Sequence, residues 1–279
     1  MAEFTDFWLH PRFSDLGMLR ATFRDHKYNL HTHSTYVIAL ITDGCERARI
    51  GNKSVRATPG TIAIVNPEEC HDGEAGAEGG WSYLTFYPTL SLMRSLYEEL
   101  GQTGVPEFAC PHVDDHELAN SFYLAHTMSR DSEGLGAETA LIDALQLLIL
   151  RHSDSTALGR VPTFSGAGER VRLYEELVRE NITAEFDLDF FAEAAGVSRF
   201  QVIRDFKKFS GLTPAAYVRN HKLRFAASKI AEGFSLAEAG LEAGFFDQSH
   251  FSRVFRAVNG MTPGTFQSAI RCRSVVVSS

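Results

Sequence analysis

Residues 198–214 read SRFQVIRDFKKFSGLTP, and residues 247–263 read DQSHFSRVFRAVNGMTP. Laid over one another at an offset of 49, Arg204 meets Arg253, Phe206 meets Phe255, and Gly-x-Thr-Pro meets Gly-x-Thr-Pro. One amphipathic helix with a fixed stop is built twice. In the first copy Val202, Phe206 and Phe209 share one helical stripe, the expected buried face. Arg199, Phe200, Ile203, Arg204 and Lys207 lie on the other side. Ser198 can cap the N-terminus. Just upstream, Phe190 to Ala195 reads as a short helix that ends at Gly196, the residue best suited to a left-handed cap. A short helix, a glycine turn and a capped second helix make a helix-turn-helix.

The second copy repeats the plan. Leu236 to Ala243 is its first helix, Gly244 its turn and Asp247 its cap. Phe251, Phe255 and Val258 form the buried stripe, while Gln248, Ser249, Ser252 and Arg253 stay outside. Pro214 to Ile230 joins the copies, with proline in the first turn. It predicts a continuous helix of about 25 Å at ~1.5 Å per residue, a rod able to hold two reading heads about one duplex turn, roughly 34 Å, apart. A plain helical bundle with solvated polar faces accounts for either helix alone. It does not account for an arginine recurring at the same place, followed two residues later by an aromatic. The repeat points to double-stranded DNA.

A net charge of −8 argues against that partner until the chain is split. Residues 160–279 carry 16 Lys and Arg against 13 Asp and Glu, whereas residues 1–159 carry 11 against 22. The acid is N-terminal, and the helical part is mildly basic. No apolar run approaches the roughly 20 residues that span a bilayer, so no membrane partner is expected. The acidic N-terminus lacks the character of a secretion signal, and the cytoplasm is the expected location. Cys45, Cys70, Cys110 and Cys272 are scattered, without a Cys-x-x-Cys pair, and read as small hydrophobes rather than a zinc ribbon or redox motif.

The N-terminal part reads as β from about 17 to 87. Val37 to Ile41 is a buried strand closed by Asp43-Gly44. Arg47 to Ile50 runs into the hairpin turn Gly51-Asn52. Thr61 to Val65 and the aromatic Trp81 to Tyr87 follow. Short strands separated by turn residues predict a sandwich or small barrel. Helices are expected over 90–101, 115–130 and 137–152. Ser153 to Gly168 is rich in Ser, Gly, Thr and Pro, and reads as a linker.

Both halves resemble one family. Ala243-Gly244-Phe245, Gln248-Ser249-His250-Phe251-Ser252-Arg253-Val254-Phe255 and Gly260-Met261-Thr262-Pro263 look like the AraC/XylS family of bacterial transcription regulators. The first copy agrees in Ala195-Gly196-Val197-Ser198, Arg204 to Lys208 and Gly211-Leu212-Thr213-Pro214. His31-Thr32-His33, Asp43-Gly44, Pro59-Gly60 and Pro67-x-x-x-His71 resemble the cupin-like sensor domain common in that family. The resemblance implies an α+β chain of two domains. These are a cupin-like β-barrel with helices for effector binding or dimerisation (1–155), a linker (156–168), and an all-α DNA-binding domain with two helix-turn-helix units joined by a linker helix (169–279).

Carried over residue by residue, the resemblance assigns base reading to Arg199, Phe200, Ile203 and Arg204 in the first head, and to Gln248, Ser249, Ser252 and Arg253 in the second. Arginine can bond guanine, and glutamine adenine, in bidentate fashion. Phe200 and Ile203 can only pack. Ile203 fills a slot where many relatives carry a polar residue, so the first head is expected to discriminate weakly. Lys207, Lys208 and Arg256 suit phosphate, which sets register without reading sequence. RNA polymerase contact near a promoter and a homodimer are further implications.

An organic effector is expected against His33, Tyr36, His71, Trp81 and Tyr83, with Phe4, Phe7 and Trp8 either folding over the pocket or burying in the barrel. His31, His33 and His71 invite a metal, and three imidazoles alone can hold zinc. Residues 34–42 offer no carboxylate to complete the set seen in catalytic cupins, however. No cofactor and no metal are assigned. Neither a phosphate loop nor a Gly-x-Ser-x-Gly nucleophile motif is present, and no enzyme is expected. The competing reading is a cupin metalloenzyme with a helical appendage.

Overall fold

The computed structural model describes residues 3–10, 13, 15–131, 135–154 and 166–276. The described residues divide into two compact units, one holding 3–28, 33–154 and 268–276, the other 29–32 and 166–267. The first is β-rich, the second helical. Of the linker expected over 156–168, residues 156–165 lie outside the described residues, and 166–168 open a helix.

Ten strands build the first unit: β1 Phe4–Leu9, β2 Gly17–Phe23, β3 Lys27–His31, β4 Val37–Gly44, β5 Glu46–Ile50, β6 Lys53–Ala57, β7 Ile62–Val65, β8 His71–Ala75, β9 Trp81–Tyr87 and β10 His112–Val113. They form two antiparallel sheets. One has the order β1-β2-β9-β4-β7-β10, the other β3-β8-β5-β6. The hairpin at Gly51-Asn52 is tight, with Ile50 opposite Lys53 and Gly51 at φ 57°. Two expectations change. The aromatic arm is a regular strand, β1, laddered to β2 from Phe4–Thr22 to Leu9–Gly17. Asp43-Gly44 does not close β4; the strand runs through it after a register shift between Ile41 and Asp43.

Helices α1 Leu90–Glu99, α2 His116–Asp131 and α3 Leu135–His152 follow. Strand parity decides what they cover. In β9, Leu84 and Phe86 point to one face and join Met93, Leu96, Phe122, Leu141, Leu145 and Leu148 in an apolar core. Trp81, Tyr83, Thr85 and Tyr87 take the alternate parity, hence the opposite face.

The helical unit contains α4 Gly166–Glu180, α5 Leu188–Ala195, α6 Arg199–Ser210, α7 Pro214–Ala231, α8 Leu236–Glu242, α9 Gln248–Asn259 and α10 Pro263–Val276. Rings fill the first helix-turn-helix: Tyr174 stacks on Phe206 at 5.0 Å, and Phe191 meets Phe206 edge-on at 5.3 Å. Phe251 and Phe255 do the same for the second, at 5.5 Å. Each fully buried ring contributes about 1.5–3 kcal/mol. Phe209 departs from the expected stripe. It is 38% exposed, with the Lys208 ammonium 5.6 Å from its ring.

Candidate DNA-binding face and sensor core

Local chemistry fixes both heads. In the first, Asp187 accepts from the Phe190 N–H at 2.8 Å and starts α5. Gly196 ends that helix in the left-handed region at φ 63°, where a side chain would be strained. The Ser198 hydroxyl then accepts from the Gln201 N–H at 3.2 Å and starts α6. In the second, Ser235 and Glu238 form a reciprocal capping box on α8, and Asp247 accepts from the His250 N–H at 2.6 Å to start α9. Gly211 and Gly260, each at φ 70°, stop α6 and α9 alike. Thr213 caps α7, and Pro214 occupies its first turn. Lys222, midway along α7, donates to the Ala184 carbonyl at 3.1 Å and reaches the Gly244 carbonyl at 3.5 Å. The joining helix is thereby tied to the turn of the second head.

On α6, Phe200 is 77% exposed, Arg204, Lys207 and Lys208 are exposed, and Ile203 is half-buried. Arg199 is exposed and ion-paired with Asp189 of α5. On α9, Gln248, Ser249, Arg253 and Arg256 are exposed and Ser252 is half-buried. No salt bridge to Arg204 or Arg253 is found among the described residues. Arg204 instead donates to the Gln201 side-chain oxygen at 2.7 Å.

Sequence reasoning missed what stands behind Arg204. The Gln201 amide donates to Asp205 Oδ1 at 2.7 Å, and Arg170 of α4 donates to both oxygens of Asp205. Burial opposes the charge of Asp205. The hydrogen bonds from Arg170 and Gln201 and the Arg170 charge outweigh it, so the carboxyl titrates below its ordinary range. The helical spacing of Gln201 and Asp205 was a legible signal; the partner on α4 was not. Phe246 on the second head, 91% exposed, was also overlooked.

In the β-rich unit the expected effector residues separate. Trp81 and Tyr83 stack at 6.3 Å and share an aromatic cluster with Phe23, 5.4 Å from Trp81. Tyr28 of β3 hydrogen-bonds Tyr83 of β9, so side chains of the two sheets meet here. His33 and His71 lie with ring centres 5.2 Å apart, and His33 is 5.7 Å from Tyr87. Tyr36 is not among them. It shares the parity of Ile38 and Leu40, belongs to the helix-facing core, meets Phe108 edge-on at 5.9 Å and donates to the Pro106 carbonyl at 2.7 Å.

The residues the sequence did not flag are Tyr28, Tyr87 and Glu46. Tyr87 follows from the alternation that selects Trp81 and Tyr83. Glu46 shares the parity of Ala48 and Ile50, both buried. Burial pushes the Glu46 carboxyl up to about 7 and the His71 imidazole down to about 4. It also raises the Tyr28, Tyr83 and Tyr87 hydroxyls, helped by neighbouring ionisable groups. The interior is thus lined by hydrogen-bonding groups whose burial disfavours their charged forms. Two of its buried polar atoms, Trp81 Nε1 and Thr85 Oγ1, have no hydrogen-bond partner among the described residues.

A β-rich unit with a polar interior, followed by two helix-turn-helix heads on one rod, defines a DNA-binding regulator with a sensor domain. The AraC-like ligand binding domain matches residues 15–148, and a helix-turn-helix domain matches residues 191–269. The probable transcriptional regulator LumQ of Photobacterium leiognathi is 30% identical over 248 residues, 88% of this chain and 93% of LumQ. The uncharacterised transcriptional regulator YbfI of Bacillus subtilis is 27% identical over 226 residues, 80% of this chain and 81% of YbfI. Among solved structures, ToxT of Vibrio cholerae has the same fold, with a TM-score of 0.54 at 13% identity over 96% of this chain and 97% of ToxT. The chain belongs to the AraC family of transcription regulators. No described helix is long and apolar enough to cross a membrane.

Proposed function

We propose that the chain reads an asymmetric duplex site across two successive major grooves, under control of a small molecule held between its sheets. One observation carries the DNA part: two capped helices each bury an aromatic stripe, expose an arginine-bearing face and are joined by one 18-residue helix. At ~1.5 Å per residue that helix spans about 27 Å, which suits heads about one turn of duplex apart. Arg199, Phe200, Ile203 and Arg204 read the first groove, and Gln248, Ser249, Ser252 and Arg253 the second. Lys207, Lys208 and Arg256 hold phosphate.

For the effector, His33, His71, Trp81 and Tyr83 remain assigned, joined by Tyr28, Glu46 and Tyr87. A buried donor left unpaired costs about 1–3 kcal/mol, so Trp81 Nε1 favours a ligand that brings an acceptor. ToxT has been solved with an unsaturated fatty acid bound; the polar lining here favours an effector with more hydrogen-bonding groups. Binding shifts the population between poor and good DNA binders. Tyr123, Leu124 and Leu150, exposed on α2 and α3, offer apolar surface for a homodimer. Contact with RNA polymerase and a cytoplasmic location complete the reading. A metalloenzyme would leave the twin heads without a role.

Selection of random duplexes by the purified full-length protein, followed by footprinting, tests the reading. It should return one asymmetric site with half-sites about 10–10.5 base pairs apart. Equal binding to selected and random duplex sinks it. Thermal-shift screening tests the sensor, because a ligand at 100 times its Kd adds about 2.7 kcal/mol of stability.

A further inference from the structure

Strand β5 shows a different chemistry on each of its two faces. Arg47 and Arg49 point outward and pair with Glu74 and Asp72 of β8. Glu46 takes the other parity, with the buried Ala48 and Ile50. Of the carboxylates on β5 and β8, Asp72 and Glu74 are thus matched by cations and Glu46 is not. No hydrogen bond or ion pair is found for its carboxyl among the described residues, and burial alone raises its hold on the proton. The side chain is nonetheless half-buried rather than fully covered. A carboxyl surrounded by protein that keeps accessible surface faces an enclosed space.

Gly73 of β8 leaves that space open. A Cβ there would lie 2.5 Å from Glu46 Oε1 and 3.5 Å from the Tyr28 ring. Aromatic rings supply the rest of the wall. Tyr28, Tyr83 and Tyr87 all feel the Glu46 charge. Tyr28 and Tyr83 join through their hydroxyls. Phe23 stands behind them, its ring centre 5.9 Å from that of Tyr28 and 6.2 Å from that of Tyr83. Among the described residues no lysine or arginine acts on Glu46, Tyr83 or Tyr87. The space therefore joins one uncompensated carboxyl to several ring faces, each of which carries negative potential.

We propose that the effector is a small organic ammonium ion, with Glu46 as its counter-ion and the rings of Tyr28, Tyr83 and Tyr87 around it. The inference rests on the sensor reading above and narrows it to one chemical class. Aromatic faces attract a cation within about 6 Å of the ring centre, and a buried carboxylate gains most from a partner when it has none. An uncharged effector leaves Glu46 unpaired, and an anion adds repulsion. Trp81 Nε1 adds a preference for an oxygen acceptor on the same molecule. Only ionised Glu46 can serve. Burial lifts its pKa to about 7, so affinity should rise about tenfold per pH unit up to about pH 7 and level off above it. The other titratable groups on these walls stay neutral over that range: the three phenols are raised above 10, and His71, on the same face of β8 as Gly73, is lowered to about 4.

The test titrates full-length protein at matched ionic strength with choline beside its uncharged isostere 3,3-dimethyl-1-butanol, and with ethanolamine beside 1-propanol. Calorimetry and thermal shift follow binding at about pH 6 and about pH 8. At least one ammonium probe should bind saturably, about tenfold or more tighter than its uncharged partner, and more tightly at the higher pH. Glu46→Gln keeps the shape and removes the charge; it should bind the charged and uncharged probes alike. Two results overturn the proposal: neither ammonium probe outdoes its partner in the parent, or the preference and its pH dependence persist in Glu46→Gln. The broad thermal-shift screen separates this from the sensor reading. An uncharged hit there, with no response to either ammonium probe, leaves a sensor standing and removes the cation.

Discussion

Asp205, buried in α6, is gripped by Arg170 of α4 through Nε at 2.7 Å and Nη2 at 3.1 Å. Gln201 extends this grip to Arg204 on the exposed face. The residue at the same place in the second head is Val254. The charge pair that anchors the first head therefore has no counterpart at the matching position of the second, where an apolar residue stands.

Removing Asp205 leaves the half-buried Arg170 without its acceptor and Gln201 without its partner, at about 1–3 kcal/mol. Asp205→Ala should lower stability by that amount in urea denaturation. Gln201→Ala should unfold little later or earlier than the parent, yet weaken preference at the base read by Arg204. If Asp205→Ala denatures like the parent, the pair is not an anchor.

Arg253→Ala should cost about 1–3 kcal/mol at the selected site and relax one base preference. Competition binding against single-base variants measures this. An equal loss on every sequence would show that Arg253 touches only the backbone.

Lys207→Ala should weaken binding almost uniformly across sequences and reduce the salt slope by about one. Titration over a range of salt concentrations gives the slope. An unchanged slope removes Lys207 from the phosphate contacts.

Phe255 is 2% exposed and lies against Phe251 and Phe266. Phe255→Ala should cost roughly 3–5 kcal/mol and unfold the second head, visible as lost amide protection in α8 and α9. A folded variant that only lost specificity would mean the two faces of α9 are reversed.

Glu46 holds its proton more tightly in the folded state, where burial lifts its pKa from 4.5 to about 7. Its contribution to stability is fully present below about pH 4.5 and is lost as pH rises to about 7, at about 1.4 kcal/mol per pH unit. Glu46→Gln should escape that loss. Urea unfolding at about pH 5 and about pH 8 should show the variant gaining about 3 kcal/mol on the parent. Parallel pH profiles would mean Glu46 reaches water.

Signals that act within a few residues were legible in the sequence. Ser198, Gly196, Asp247 and Gly260 each cap where the local pattern places them, and β9 begins and ends at Trp81 and Tyr87 as read. Features set by long-range packing were not. Which face of the strand after Tyr36 meets the helices depends on α1 to α3, so Tyr36 was read toward the interior. Arg170 and Asp205 are 35 residues apart, and nothing local links them. Glu46 looks like a surface residue until β5 acquires neighbours on both sides.

The rod α7, capped at Thr213 and braced by Lys222, also constrains how target promoters evolve. Adding one base pair between the half-sites shifts the second by about 3.4 Å and rotates it by about 35°. A continuous helix cannot twist to follow. Point changes within a half-site forfeit single contacts and can be repaired one at a time, whereas an insertion or deletion in the spacer puts a whole head out of phase. Promoters answering to this protein should therefore vary in their letters while keeping the same spacer length.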